Sequence, residues 1–375
     1  MDRDPLNSKP SQHNESFIKS TFSILLPYWQ SEERIFAWIT AALLIFLSLL
    51  AVATALVVNE WYRYFYDAIQ EGDIKQFYLL ILTFIGVVIF SVFRSVLIAY
   101  LVDILALRWR RWLTNHYLLL WTLDPAQTCQ TGNEVDNPDQ RIAEDINKFT
   151  FETLDLACGL IFTAASVISF SIVLISASGD AVLMGITIPC YMFLAAITYA
   201  FIGTLISQKI GFKLISLSNK QQRLEADLRY FLIRLREKFR TPPPLLKYEP
   251  EKNNINQKLE GSLANFRKII QIKMRLSLFT ETYGQLALIL SSLLAAPRFF
   301  AGHMTFGDLM QINSAFGNLS ENLSWFINAY SRLADWKATT DRLITFNKAM
   351  RNSPAGAPKH PQPSSPDTGL SVDIH

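Results

Sequence analysis

Six apolar stretches decide what this chain can fold into. They run at roughly 36–58, 77–106, 154–177, 181–206, 276–297 and 306–330. Each is long enough to cross a hydrocarbon core, which takes about 20 apolar residues as a helix. Composition agrees: half of the residues are hydrophobic and 18% are charged, against about a quarter in an ordinary soluble domain. The first twenty or so residues are polar, with no apolar core of the kind a cleavable signal peptide needs. Cys129, Cys158 and Cys190 are far apart and point to neither a disulfide framework nor a metal cluster. The expectation is an all-α membrane protein.

The basic residues set an orientation. If the first stretch runs outward, the outer loops hold only Arg63, Lys75 and Arg298 of the 35 Lys and Arg, and Arg94 alone falls inside a span. The rest lie on the inner side, with Lys209, Lys213, Arg267, Lys268, Lys273 and Arg275 close to the membrane. Both termini are therefore expected in the cytoplasm.

The inner intervals 107–153 and 207–275 read as helices that continue past the membrane. Leu217, Leu224, Leu228, Phe231, Leu235 and Phe239 recur at three, four or seven residues, a helical stripe. A helix from 207 to 240 would project roughly 50 Å at about 1.5 Å per residue. Helices two and three also run on, through "LALRWRRWLTNHYLLLW" and back through "RIAEDINKFTFETLDL". Between spans three and four, "SASGD" at 176–180 reads as a tight connection. Long extensions on one side suit a protein that reaches a cytoplasmic partner.

No catalytic constellation is present in the sequence. There is no G-x-x-x-x-G-K-[ST], H-E-x-x-H, C-x-x-C or G-x-S-x-G motif, and His116 and His303 are isolated. The basic residues follow topology and form no separate domain, which argues against a nucleic-acid partner. They place solvated helices near anionic lipid.

Three groups of residues carry candidate function. In "DNPDQRIAEDI", Asn137 is placed to cap a helix, Pro138 suits its first turn, and Gln140 stands where a capping-box partner reaches back. Asp139 adds favourable charge at the helix start. The segment reads as a well-made helix start at a bend or, alternatively, as a coupling helix comprising Asn137, Pro138, Asp139, Gln140, Arg141, Glu144 and Asp145. In "NEWYRYFYDAIQEGD", Trp61, Tyr62, Tyr64, Phe65 and Tyr66 fit an interfacial aromatic belt. Glu60 and Asp67 with Arg63 would alternatively line the outer mouth of a path. Within the spans lie Arg94, Glu281 and Glu321, with Asp103 nearer the inner face. A charge at bilayer depth costs about 2.5–3.5 kcal/mol on insertion scales, so each needs a partner or a wet cavity. The readings are helix–helix pairing, as of Arg94 with Glu281 or Glu321, and a cavity in which an acid serves as substrate or proton site.

The chain closes on "NKAMRNSPAGAPKHPQPSSPDTG", with the Pro, Ser and Gly content of a linker, and then on "LSVDIH", whose alternation has the period of a strand. The expected organisation is an N-terminal cytoplasmic segment over 1–34 and a six-span domain over 35–346. A linker over 347–369 and a strand-like stump over 370–375 follow.

Taken together, "VNEWYRYFYDAIQ", "LRWRRWLTNHYLLLW", "DNPDQRIAEDI" and "AAPRFFAG…FGDLMQ…AFGNLSENLSWF…LADWKATTDRLITF" resemble one permease family. It is the transmembrane domain of the SbmA/BacA-related ABC transporters, distantly similar to the peroxisomal fatty-acyl half-transporters. The resemblance covers about 20–348. It implies an ABC-exporter-type fold with six spans per subunit, acting as a homodimer on peptide-like or cobalamin-like substrates at the inner membrane. In one branch an ATPase domain follows on the same chain; in the other, the SbmA/BacA permeases proper, a proton gradient drives uptake. "RWRRWLT" and "NPDQRIAED" resemble the first branch more. ATP would act only through a nucleotide-binding domain on a partner ATPase subunit or a longer chain, and "LSVDIH" then reads as the first strand of such a domain. The family's second coupling segment is departed from at Pro242, Pro243 and Pro244, which prevent regular helix there. A non-transporting remnant or scaffold is the reading from another class.

Overall fold

A computed structural model describes residues 10–123, 138–179, 181–183, 186–238 and 249–351. Helix α1 spans Pro10–Trp29, α2 Arg34–Glu71 and α3 Ile74–Leu123. A short helix α4, Pro138–Gln140, leads through a π-helical turn, Arg141–Asp145, into α5, Ile146–Ser178. Strands β1, Ala181–Leu183, and β2, Ile186–Ile188, pair antiparallel with Val182 opposite Thr187. Three long helices follow: α6 Tyr191–Lys238, α7 Glu249–Phe300 and α8 Phe306–Arg351.

Among the described residues, five helices are long and apolar enough to cross a membrane: Arg34–Glu71, Ile74–Thr122, Pro138–Ala177, Tyr191–Glu237 and Asn253–Phe300. The expected sixth span is helical, as part of α8, but is not among them. Its apolar run is interrupted by Asn313, Ser314, Asn318, Ser320, Glu321, Asn322 and Ser324. The fourth span also begins later than expected, at Tyr191 instead of 181. The intervening residues form the hairpin, flanked by Gly179 at φ 58° and Cys190 at φ 54°. At Gly179 this left-handed backbone, which a glycine adopts without a Cβ penalty, follows the last residue of α5. The strand expected over 370–374 lies outside the described residues, as do Pro242, Pro243 and Pro244.

The helices belong to two compact units. One gathers α1, α2 up to Leu43, α3 from Ala99, the chain to Asp155, and α8 from Leu333. Its core follows from the spacing of Leu105, Trp109, Leu113 and Tyr117, four residues apart and all buried, which puts them on one face of α3. Tyr28 of α1 stacks on Trp109 with ring centroids 5.7 Å apart, and Phe149 of α5 meets Trp109 edge-on at 5.7 Å. Phe149 also stacks on Trp336 of α8, whose indole N–H donates to Thr153 Oγ1 at 2.8 Å. Burial, reinforced by Glu33, pushes the Tyr28 phenol up to about 12, so it stays a neutral donor.

The other unit gathers α2 from Leu44, α3 to Ile98, α5 from Leu156, the hairpin, α6, α7 and α8 to Arg332. Phe170, Leu174, Met192, Ile312, Phe316 and Leu319 form its core with Ala196, Ala287, Ala295 and Ala315. The alanines let helix backbones approach closely, which is how packing is gained where lipid removes the hydrophobic drive between helices.

Helices α6 and α7 lie side by side beyond their apolar parts. The leucine stripe of α6 is half-buried there, and its interior is polar. Gln221 donates to Ser262 Oγ at 2.7 Å, and Asn265 donates to Gln221 Oε1 at 2.9 Å and to the Leu217 carbonyl at 3.0 Å. Nearer the core, Tyr199 and Tyr283 stack at 4.2 Å, and each hydroxyl donates to the other's backbone carbonyl. Gly203 makes room for this: a Cβ there would stand 2.3 Å from the Tyr283 ring.

Candidate functional site

The polar residues that lower the hydropathy of α8 fall on two adjacent sectors of that helix. At 100° per residue, Ser314 and Asn318 share one sector, and Gly317, Ser320, Glu321 and Ser324 share the next. Each sector lines its own cavity within the second unit.

The first cavity, about 320 Å³, lies among α2, α3, α5 and α8. Thr54, Tyr62, Ser91, Arg94, Ser314 and Asn318 supply its polar groups. Arg94 makes no hydrogen bond or ion pair with any described residue, and its Nε is buried without a partner. The expected pairing with Glu281 or Glu321 is therefore corrected. Helical rotation directs these side chains elsewhere: Glu281 is exposed on α7, and Glu321 belongs to the other cavity.

The second cavity, about 370 Å³, lies among α6, α7 and α8 and is lined by Ser207, Thr280, Tyr283, Ser320, Glu321 and Ser324, among others. Glu321 is its one carboxylate, and the Ser320 hydroxyl is buried without a partner. The two cavities thus differ in sign, cationic on one side of α8 and acidic on the other.

The aromatic segment "NEWYRYFYDAIQEGD" forms the end of α2, to Glu71, and the turn into α3. Trp61 stacks on Phe65 and on Phe84, both at 4.4 Å, and donates to the Leu80 carbonyl at 2.8 Å, joining α2 to α3. Glu60 accepts from the Gln311 amide and pairs with Arg63 at 3.4 Å, while Asn59 donates to the Gln311 carbonyl at 2.9 Å. Asp67 accepts the Gly307 N–H at 2.8 Å and so caps the start of α8. Glu60, Trp61 and Asp67 hold helices together; Tyr62 alone of this group faces a cavity.

The candidate coupling segment sits in the first unit, with Asn137 outside the described residues. Gln140 extends forward, donating to Glu144 at 3.0 Å. In the π-helical turn the Ile146 N–H bonds to the Arg141 carbonyl, five residues back. Such wide turns are frequent at functional sites. The turn buries Ile142 and Asp145 and leaves Asp139, Gln140, Ala143 and Glu144 exposed, an acidic outer face. Asp145, 5% exposed, accepts from Arg141 at 2.6 Å and from Arg342 of α8 at 3.0 and 2.7 Å. The two-toothed Arg342 contact ties the turn to the last third of α8.

Arg342, Asn318, Tyr199 and Tyr283 escape sequence reasoning. Arg342 is 197 residues from Asp145 and reads as one cation among many. Asn318 lies within a run of Asn and Ser whose periodicity on α8 was the available signal.

The family model for ABC transporter transmembrane region 2 matches residues 22–300. ABC transporter D family member 2, chloroplastic, of Arabidopsis thaliana is 30% identical over 343 residues, which are 89% of this chain and 46% of that protein. The inner membrane ABC transporter ATP-binding protein YddA of Escherichia coli K12 is 28% identical over 353 residues, 92% of this chain and 63% of that one. The human lysosomal cobalamin transporter ABCD4 is 21% identical over 323 residues, 84% of this chain and 50% of its own. The chain thus spans between about half and under two thirds of the relatives it matches. With five helices apolar enough to cross a membrane and a family match over most of its length, this is a multi-pass membrane protein that belongs to the ABC transporter transmembrane region 2 family.

Proposed function

We propose that the chain is the permease part of an ABC-type transporter. It moves a peptide-like or cobalamin-like substrate across the inner membrane by alternating access, as a homodimer, with both termini in the cytoplasm. The ATPase is supplied by a partner subunit or by a longer form of the chain. The observation that carries this reading is α8, a long helix whose polar residues line two cavities among apolar helices. A helix in lipid has no reason to carry Asn313, Ser314, Asn318, Ser320 and Glu321 unless they face protein or water.

The π-helical turn supports a motor partner. Its exposed acidic face offers a docking surface, and Asp145 carries any displacement of that face to Arg342 on α8. Arg94, Glu321 and Tyr62 are the substrate-path residues in this reading. Glu60, Trp61 and Glu281 are not assigned to it, because they bind neighbouring helices or are exposed outside both cavities.

The second reading is proton-driven uptake of the SbmA/BacA kind, favoured by Glu321, a lone acid in a hydroxyl-lined cavity. Uptake of labelled cobalamin and of a labelled cationic peptide into membrane vesicles separates the two. The permease reading expects ATP-dependent accumulation that survives a protonophore at constant ATP and is lost in a Glu321→Gln or Arg94→Gln variant. Loss of uptake on adding the protonophore would move the assignment to the proton-driven reading. Absence of uptake under every energy source would leave the scaffold.

A further inference from the structure

Arg94 lies near the middle of the apolar stretch 77–106, yet nothing described in the protein neutralises it. On α3, Phe93 at 69% and Val96 at 63% exposure face outward, while Ser91, one turn before Arg94, lines the cavity with it. An isolated guanidinium at that depth is strongly disfavoured in hydrocarbon. A charge this expensive is retained where it meets a counter-charge or water.

The cavity beside it has the chemistry of half a binding site. Its other polar groups are neutral: the Tyr62 and Ser91 hydroxyls, Ser314, Thr54, whose hydroxyl donates to the Leu50 carbonyl, and the Asn318 amide, which donates one N–H to the Ser314 carbonyl and has a second for a ligand. No carboxylate lines it. Of the acids on the surrounding helices, Glu60 is held by Gln311 and Arg63, Asp67 accepts the Gly307 N–H, Glu321 lies in the neighbouring cavity, and Asp103, Glu152 and Asp155 are not part of the lining. Ala51, Ala55, Val58 and Phe162 complete the wall with apolar surface. A fixed cation with hydroxyl and amide donors around it, and no acid, is arranged for an anion. The guanidinium fork matches a carboxylate or phosphate with two parallel hydrogen bonds.

We propose that the Arg94 cavity is a binding site for one anionic group, a carboxylate or a phosphate monoester, held by Arg94 with Tyr62, Ser91 and Asn318 as neutral donors. At about 320 Å³ the cavity takes such a group together with a short apolar portion against Ala55, Val58 and Phe162. The site deepens the substrate-path reading and rests on it for its place on that path. Its own test is equilibrium binding, without ATP or an ion gradient, so failed uptake and failed binding are separate results.

The experiment uses the purified full chain in phosphatidylcholine nanodiscs with radiolabelled decanoate as probe. Decyl phosphate, decanol and decyltrimethylammonium serve as competitors, with one alkyl tail and different heads. Decanoate binds saturably, decyl phosphate displaces it, and the neutral and cationic probes do not. Arg94→Gln weakens binding about tenfold or more, the scale of losing a charged hydrogen-bonded partner. Arg94→Lys, which keeps the charge without the fork, weakens binding less than Arg94→Gln, Asn318→Ala loses about two- to fivefold, and Lys75→Gln, a cation in the first turn of α3, changes nothing. Adding phosphatidic acid, whose head group is a phosphate monoester, to the nanodiscs distinguishes the source. Displacement of decanoate assigns the site to a lipid head group, and undisturbed binding assigns it to a substrate. Competition by decanol equal to that by decyl phosphate, or an Arg94→Gln chain that binds decanoate like the parent, overturns the proposal. Should Arg94→Gln fail to fold, Arg94→Lys with Asn318→Ala and Ser91→Ala carries the same decision, and no loss in the latter two would overturn it.

Discussion

Removing the Asp145 carboxylate should break the tie between the π-helical turn and α8, and its cost can be worked from the geometry. Asp145 is almost fully buried. The Arg141 partner is 12% exposed at its side chain, while Arg342 is 40% exposed. Deleting one member of a buried ion pair costs about 3–5 kcal/mol, chiefly because the other charge is left unpaired. That figure applies to the Arg141 leg only in part, since a long side chain can turn toward water. The Arg342 leg is discounted further for solvent screening, to about 1–2 kcal/mol. Asp145→Ala should therefore lose about 2–4 kcal/mol in total. A double-mutant cycle with Arg342→Ala should return a coupling energy of about 1–2 kcal/mol. The assay is equilibrium unfolding in mixed detergent–SDS micelles, read by tryptophan fluorescence, which Trp109 and Trp336 report from the same unit. Lys148 and Asp335 give the internal contrast: they stand 4.0 Å apart at 45% and 70% exposure, so Asp335→Ala should cost about 0–0.5 kcal/mol. Additive single losses from Asp145→Ala and Arg342→Ala would refute the bridge. So would an Asp335→Ala loss as large as that of Asp145→Ala.

Gly203→Ala forces the Tyr199–Tyr283 stack apart and should cost about 1–3 kcal/mol, whereas Gly211→Ala, with open space around its Cβ position, should stabilise by about 0.5–1 kcal/mol; thermal melts in detergent compare them. Gly307→Ala brings a Cβ to 2.1 Å from the Arg63 carbonyl, so it should separate α2 from α8 and free Glu60 from Gln311, measured as faster proteolysis of the loop before Phe306. Asn265→Leu leaves the buried Gln221 oxygen unpaired and should cost about 1–3 kcal/mol, read as loosened hydrogen-exchange protection along the outer parts of α6 and α7.

The apolar runs gave away five crossing helices because length and hydropathy speak directly to the bilayer. The long continuation of α6 to Lys238 was equally plain in its leucine stripe. The hairpin at 181–188 was not. In "AVLMGITI" a short apolar run with β-branched residues has the hydropathy of a helix start, and periodicity alone cannot separate the two. The sixth span was expected from the length of its apolar stretch, and the structure gives the reason for its polarity, which is two cavities on adjacent sectors of α8. Residue identity marked Arg94 and Glu321 as costly. Whether they paired depended on helix rotation, which only the fold settles. Asp145 was visible as part of a helix start, but its function as a bridge was hidden until Arg342 arrived from the far end of the chain. The motif resemblance reached the ABC transporter transmembrane region, the coarser part of that reading, since motif order survives where individual roles cannot be read.

The central claim is that α8, though too polar to be recognised by hydropathy, crosses the membrane and carries the path. Substituted-cysteine accessibility tests it directly. With Cys129, Cys158 and Cys190 replaced by serine, Thr305→Cys and Lys348→Cys bracket the helix, and Asn318→Cys and Glu321→Cys probe its polar sectors. The account predicts that a membrane-impermeant maleimide labels Thr305→Cys on intact cells and Lys348→Cys only after permeabilisation. A small charged thiosulfonate should reach the two inner positions from water. Labelling of both ends from one side, or no reaction at Asn318→Cys and Glu321→Cys, would contradict it.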